Sequence, residues 1–443
     1  MPSPAELLRS RSYLVLVALG AIIGVPVAAV AYFFLKLVSE TQQYVFETLP
    51  GELGFDSQPS WWSIPLLALS GLIVAASIRF LPGTSGHKPA EGFKTGGAVQ
   101  PIDLFGIVLA SFATLSLGVV LGPEAPLIAI GSGMGVLAVH LIKRDAPEMA
   151  SVVIGAAGSF AAIATLLGSP LAGAFLLMEA GGLGGALMSV VLVPGLLAAG
   201  IGSLIYIGLD DWTGFGTFSL AVPDIPTAGV PTGAEFLWAI AIGVLAAIVG
   251  TAIKRLALAL QPIVAERSLV LTPLAGVGIG VLVMIFVEAT DKPSAYVLFS
   301  GQDQLPGLIE GAATWSVGAL LLLMFCKGLA YSLALSGFRG GPVFPGMFLG
   351  AVGGIALSHL PGLSMIAGAA MGIGAMTVAM LGLPLVALLL VTLFLAADGL
   401  QLTPVVIVAI VVSYIVSARL NPVPTVPEAT PPTPVAPPAP APS

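Results

Sequence analysis

The stretch that decides the fold reads Leu117-Gly118-Val119-Val120-Leu121-Gly122-Pro123-Glu124-Ala125-Pro126-Leu127-Ile128-Ala129-Ile130-Gly131. It holds one carboxylate, flanked on both sides by long apolar sequence. A charge at membrane depth costs about 3 kcal/mol on insertion scales, so Glu124 needs a compensating reason. The neighbouring residues supply one. Gly122-Pro123 ends one segment and opens a helix, with Pro123 and Glu124 in its first turn. Proline is tolerated there because that N–H has no partner within the helix. The free N–H groups and the positive end of the helix dipole favour an anion at this point. Two anions can compete for it, the Glu124 side chain or a solute anion. A protonated Glu124 gives up its claim. The plainer alternative is a helix-capping acid packed inside a bundle.

Composition agrees with a membrane setting. Of 443 residues, 57% are hydrophobic and 8% are charged, where a soluble domain carries about 25% charged residues. Mean hydropathy is +1.06. These values exclude a soluble enzyme and a disordered chain. Fifteen Lys and Arg cannot coat a duplex, so no nucleic-acid partner is expected. A membrane β-barrel would show short segments of alternating polarity, whereas the apolar runs here are long and continuous. The lone Cys326 excludes an internal disulfide and reads as a small buried residue. His87, His140 and His359 have no metal-ligand spacing, and no nucleotide motif is present, so no cofactor is expected.

Charge distribution sets the expected orientation. Arg9 and Arg11 precede a first span over 13–37, with no signal-peptide cleavage site after it. The following loop, 39–58, carries Glu40, Glu47, Glu52 and Asp56 and no basic residue. A second span covers 62–78, then Arg79, Lys88 and Lys94 follow. The segment 208–235 is again acidic, and Lys254, Arg255 and Arg267 come after it. Basic connections face the cytoplasm. The expected organisation is therefore a cytoplasmic N-terminus at 1–12, a first membrane half at 13–208 and an extracytoplasmic connection at 209–236. A second membrane half follows at 237–420. The tail 421–443 holds ten prolines in 23 residues and is expected to be extended and disordered. The termini are expected in the cytoplasm and the protein in the inner membrane of a bacterium.

The apolar blocks are punctuated by Gly and Pro, as in Gly122-Pro123, Gly168-Ser169-Pro170, Gly340-Gly341-Pro342 and Gly382-Leu383-Pro384. Broken helices at membrane depth must be buried in protein or line a watery cavity. The breaks also come in two pairs. Pro126 is followed by Pro170 in Ser-Pro-Leu-Ala-Gly, and Pro345 by Pro384 in Leu-Pro-Leu-Val-Ala. Interrupted helices at matching places in two halves point to a binding site at the repeat interface.

Further candidates surround Glu124. Ser85 lies in Pro82-Gly83-Thr84-Ser85-Gly86-His87-Lys88-Pro89, where the glycines allow tight turns and exposed N–H groups. A hydroxyl beside such groups is a weak, neutral anion cradle, suited to an ion that must also leave. The same residues fit a G-x-S-G protease nucleophile, which would need a facing histidine such as His140 or His359. Arg339-Gly340-Gly341-Pro342-Val343-Phe344-Pro345-Gly346 is the second-half counterpart, with the backbone N–H groups of Val343 and Phe344 available to an anion. Glu179 reads equally as a buried proton-handling acid or as a helix-end acid near water. Lys327 and Asp398 lie in or beside apolar runs, where charges usually pair.

Together these residues resemble the CLC family of chloride channels and chloride/proton antiporters, of the prokaryotic type without C-terminal regulatory domains. That family shows three anion-binding motifs at helix N-termini, G-S-G-x-P, G-(K/R)-E-G-P and G-x-F-x-P. Thr84 to Pro89 looks like the first, with one extra residue before the proline. Gly122 to Pro126 looks like the second, with Pro123 for the basic residue and Ala125 for the second glycine. Gly341 to Pro345 looks like the third, with Val343 for the usual Phe. The resemblance covers about residues 13–418.

It implies an all-α polytopic membrane protein with two inverted-topology halves of broken and tilted helices, and a homodimer with one anion pathway per subunit. It casts Glu124 as the gate, Ser85 with Gly86 as the central anion site, and Val343 and Phe344 as backbone ligands. Chloride is the implied ligand, with protons and membrane lipid as the other partners. The antiporters of the family carry an inner proton-transfer glutamate at the position matched by Ala180, and Glu179 matches its neighbour. The central tyrosine of the family lies after the last membrane helix, whereas Tyr414 lies within the last apolar run. Fluoride-exporting members share both departures, so fluoride/proton exchange is the alternative. An intramembrane serine hydrolase is the alternative of another class.

Overall fold

The computed structural model describes residues 9–93, 97–181, 185–214 and 229–421. The proline-rich tail, and residues 1–8 and 215–228 of the expected terminus and connection, lie outside them. Sixteen α-helices and no β-sheet are found among the described residues. In the first half these are α1 (Arg11–Gln43), α2 (Leu49–Glu52), α3 (Ser63–Phe80), α4 (Leu104–Ser116), α5 (Glu124–Ile142), α6 (Glu148–Leu167), α7 (Pro170–Ala180) and α8 (Gly185–Thr213). In the second half they are α9 (Gly233–Glu266), α10 (Ser268–Thr290), α11 (Leu305–Glu310), α12 (Val317–Gly337), α13 (Val343–Leu357), α14 (Met365–Leu381), α15 (Pro384–Phe394) and α16 (Ala396–Leu420). Nine helices among the described residues are long and apolar enough to cross a membrane. Others, such as α7, α13 and α15, are too short to span alone and are the expected broken pieces.

The packing repeats element for element. α1 packs on α8 as α9 packs on α16, α5 on α6 as α13 on α14, and α6 on α8 as α14 on α16. The same residue types make the matching contacts. At Gly131/Gly158 and Gly350/Gly372 the backbones approach so closely that any Cβ would strike the facing carbonyl. Lipid tails are as apolar as Leu, so helices in a bilayer gain by such close contact rather than by hydrophobic burial. The helix breaks repeat as well. Gly168 and Gly382 end α6 and α14 in the left-handed region, at φ 61° and 72°, and Pro170 and Pro384 open the next helix. Elements related by the repeat meet across the centre, α3 against α10 and α7 against α15. The fold is thus two inverted-topology halves of broken helices. Large apolar side chains such as Ile22, Leu204, Leu321 and Phe325 are exposed on the outer surfaces, where a bilayer would cover them.

Some boundaries differ from the sequence reading. The 39–58 segment is mostly helical: α1 continues through a π turn at Tyr44–Thr48 into α2. Glu and Gln are good helix formers, and no glycine interrupts the run before Gly51. The 209–236 connection is shorter than expected. α8 runs on to Thr213, and α9 starts at Gly233 behind a capping box in which Thr232 and Glu235 bond each other's backbone N–H.

Candidate functional site

Two helix tips meet in the interior. α5 begins at Glu124 after Pro123, and α13 begins at Val343 after Pro342. The loops before them are joined by a reciprocal antiparallel pair. The Gly122 N–H donates to the Gly341 carbonyl at 2.8 Å, and the Gly341 N–H to the Gly122 carbonyl at 2.6 Å. Matching residues of the two halves pair with each other, as a two-fold relation between inverted halves requires. The pairing brings the first turns of both helices together.

Glu124 occupies the meeting point. Its Oε1 accepts the Phe344 N–H at 3.0 Å, and the residue has no exposed surface. Oε2 is buried with no hydrogen-bond partner among the described residues. A Cβ at Gly122 or Gly341 would collide with this carboxylate, so glycine at both positions makes the space it fills. A hydrogen bond to a charged group contributes about 1.5–3 kcal/mol, which offsets part of the cost of burying Glu124. Behind the second tip, the fully buried Tyr331 hydroxyl donates to the Pro342 carbonyl at 2.7 Å and fixes the loop that presents Phe344.

Ser85 sits nearby in an unusual turn. From Gly83 to Gly86 all four residues have positive φ, of 72°, 51°, 57° and 92°. Left-handed conformation costs about 1–3 kcal/mol at a residue other than glycine, so Thr84 and Ser85 must be held. Arg339, from the other half, holds them: its Nε and Nη2 donate to the Thr84 carbonyl at 3.3 and 3.2 Å. The Ser85 Oγ is buried and has no hydrogen-bond partner among the described residues. Ser85 borders a cavity of about 290 Å³ that is also lined by Gly86, Arg339, Gly340, and Ala125 and Pro126 of α5. Glu124 is not among the residues that line this cavity.

The structure therefore brings together Glu124 with Val343 and Phe344, and Ser85 with Gly86 on the adjoining cavity. It does not place Ser85 at the N-terminus of an α-helix, as the resemblance implied. The Ser85 turn is a 3₁₀ segment, another follows at Pro89–Glu91, and α4 starts only at Leu104. Pro89 and Pro101 remove N–H donors and Gly92 takes a positive φ, so a continuous helix cannot form there.

Glu179 stands apart, at the α7–α15 contact. Its two oxygens accept the Leu385 and Val386 N–H groups at 3.0 and 2.7 Å, which makes it the N-terminal cap of α15. Tyr414 is 44% exposed on α16 and takes no place in the site. Asp398 lies outside the residues whose side chains are described. The partner of Lys327 is not an acid. Its buried Nζ donates to the carbonyls of Tyr296, Val297, Leu298 and Phe299 at 2.9–3.2 Å and sits over the Phe348 ring.

Arg339 was not singled out by the sequence reading, although a charged residue in an apolar run beside a Gly-Gly-Pro break was a visible signal. The Gly122–Gly341 pair and the carbonyl cage of Lys327 join residues remote in sequence, and nothing local announces either.

Comparison with known proteins adds the family. The family model described as voltage gated chloride channel matches residues 71–418. The putative ion-transport protein YfeO of Escherichia fergusonii is 28% identical over 360 residues, covering 80% of this chain and 81% of the relative. A slow cyanobacterial Cl⁻/H⁺ antiporter shares the fold with a TM-score of 0.72 at 19% identity, over 91% of this chain and 94% of the other. A CLC-type fluoride/proton antiporter does so with a TM-score of 0.67 at 21% identity, over 92% and 96%. A chain with two inverted halves, facing helix tips at its centre and a family match over most of its length belongs to the voltage gated chloride channel family.

Proposed function

We propose that the protein transports chloride across the membrane, with Glu124 as a gate that opens on protonation. The observation that carries this reading is the hydrogen bond from the Phe344 N–H to the Glu124 carboxylate. A solute anion at this point would need the same donor, and an ionised Glu124 already holds it. Oε2 is the atom free to take a proton. The neutral acid no longer matches the helix tips, so the side chain yields and the anion enters. From the family resemblance, the protein works as a homodimer in a bacterial inner membrane, with one pathway per subunit and cytoplasmic termini.

Fluoride/proton exchange is the second reading. It is supported by the likeness to a fluoride/proton antiporter and by Ala180 at the matching inner position. A serine at position 85, beside the cavity, favours chloride. An intramembrane hydrolase is disfavoured because no base contacts the Ser85 Oγ among the described residues. The deciding experiment is flux from proteoliposomes of purified protein, comparing chloride with fluoride and recording proton uptake in parallel. Chloride efflux with little proton movement is expected. Fluoride efflux with stoichiometric proton uptake would establish the second reading instead.

A further inference from the structure

We propose that Lys327 is a positioning residue of the gate. Its ammonium, held in a ring of four carbonyls, fixes the chain that leads into the α5 tip and so keeps Glu124 aligned with the Phe344 N–H. This rests on the reading of Glu124 as the gate and adds to it a buried charge from the middle of α12.

α12 carries Lys327 and Tyr331 one turn apart on the same face. Each reaches a loop that leads to the gate. The Tyr331 hydroxyl holds the Pro342 carbonyl, just before the α13 tip. Lys327 has no exposed surface, and its Nζ donates to the carbonyls of four successive residues, Tyr296 to Phe299. Carbonyls only accept, so the ring suits a compact ammonium with its full set of protons. The Phe348 ring of α13, with its centroid 4.6 Å from Nζ, adds a cation–π contact. Glu288 and Asp291 at the end of α10, and Asp303 before α11, form no ion pair with Lys327. Glu91, on the segment packed against α12 from the cytoplasmic-facing loop, interacts with Lys88 and Arg339 instead.

The last residue of the ring ties it to the gate. Phe299 is left-handed, at φ 57°, a conformation that residues other than glycine keep only when held. Lys327 holds its carbonyl at 3.2 Å, and its N–H donates to the Gly118 carbonyl at 3.2 Å. Gly118 has φ 93°, and a Cβ there would meet the Phe46 ring and the Leu298 side chain. Phe46, from the π turn after α1, packs edge-on against Phe299 with ring centroids 5.1 Å apart. From Gly118 the buried run Val119-Val120-Leu121 leads to Gly122, whose pairing with Gly341 brings the two helix tips together. One face of α12 therefore anchors both chains that meet at Glu124. Tyr331 is the ionisable side chain that interacts with Glu124. Lys327 acts on it through the backbone of 118–122.

The test is chloride efflux from proteoliposomes over about pH 4–8, read as the ratio of alkaline to acid flux within one preparation. Lys327→Arg keeps the charge but replaces a compact group by a planar fork, which cannot serve four converging carbonyls. The loop should shift and Glu124 should lose its alignment, so the closed gate leaks. The alkaline-to-acid ratio is expected to rise by about 5-fold, the change in equilibrium that loss of one hydrogen bond brings. In a Glu124→Gln background, Lys327→Arg should leave the flat profile as it is. A purely structural role would lower the amount of folded protein, which scales flux equally at every pH. A wild-type ratio in folded Lys327→Arg therefore overturns the proposal, as does a changed profile in the Glu124→Gln background. If Lys327→Arg does not fold, Phe46→Leu decides: it loosens the Gly118–Phe299 contact from the α1 side and should raise the same ratio. A flat Glu124→Gln beside a wild-type ratio in the deciding variant sinks this proposal alone. A Glu124→Gln protein that keeps the wild-type pH dependence sinks the gate reading, and this proposal with it.

Discussion

Glu124→Gln is the sharpest perturbation of the gate, because it keeps the shape of the side chain and removes its charge. The amide oxygen can still accept the Phe344 N–H that Oε1 accepts at 3.0 Å. The bond falls from the charged to the neutral class, a loss of about 1 kcal/mol. The side chain also loses its attraction to two helix N-termini, up to about 2 kcal/mol in a buried setting. Together these shift the contest towards the solute anion by about 2–3 kcal/mol, a roughly 30- to 150-fold change in the equilibrium. In wild type the same shift is reached by protonation. Flux should therefore be high at low pH and fall as pH rises and the carboxylate forms. In Glu124→Gln it should be flat over about pH 4–8, at or above the acid-limit rate of wild type. Chloride efflux from proteoliposomes at stepped pH measures this, with Glu124→Ala as the variant that empties the site altogether. A Glu124→Gln protein with wild-type pH dependence would refute the argument, since some other group would then carry the proton.

Other substitutions address the remaining parts of the structure. Glu179→Gln removes the charge from the cap of α15, so thermal stability in detergent should fall by about 0.5–2 kcal/mol while the pH profile of flux stays unchanged; an altered profile would return Glu179 to a proton-transfer role. Lys327→Met strips four carbonyls of their donor, at about 1–3 kcal/mol for each group left unsatisfied, so size-exclusion chromatography should show loss of monodisperse protein, with Lys327→Arg less affected. Gly354→Val would drive a side chain into the Gly368 carbonyl at the α13–α14 crossing, and should destabilise the fold by more than about 3 kcal/mol, whereas Gly51→Ala, with nothing near its Cβ, should be neutral in the same thermal assay.

The features legible in the sequence are those that a local rule forces. An acid amid apolar residues is expensive, and a proline beside it belongs in a helix's first turn, so Glu124 at the tip of α5 could be read directly. Gly and Pro have few permitted roles, so their matched positions at 168–170 and 382–384 disclosed the two halves. Where the rule is statistical the reading slipped. Acidic residues in 39–58 suggested a loop, yet Glu and Gln are equally at home in the helix that runs there. The Ser85 motif predicted a helix tip, and the extra residue with three nearby breakers gave a left-handed turn instead. Contacts between remote segments had no local signal. Lys327 was expected to pair, with a partner the sequence did not name, and it found a ring of carbonyls, and the strained Thr84 turn depends on Arg339 from the opposite half.

The same contacts bear on whether proton movement accompanies the anion. The Phe344 N–H can serve one strong acceptor at a time, so an ionised Glu124 and a bound anion exclude each other at that point. Exclusion of this kind gives gating. Stoichiometric exchange needs more, because protons must reach Oε2 along a route separate from the anion. On the Ser85 side the cavity wall includes Ala125 but not Glu124, and it carries both Arg339 and Asp103. Glu179, the acid that could relay protons, spends both oxygens on the tip of α15, and its neighbour at 180 is alanine. On the proposed gating, with neither position supplying a relay among the described residues, protonation of Glu124 is expected to open the pathway without a proton being carried across it.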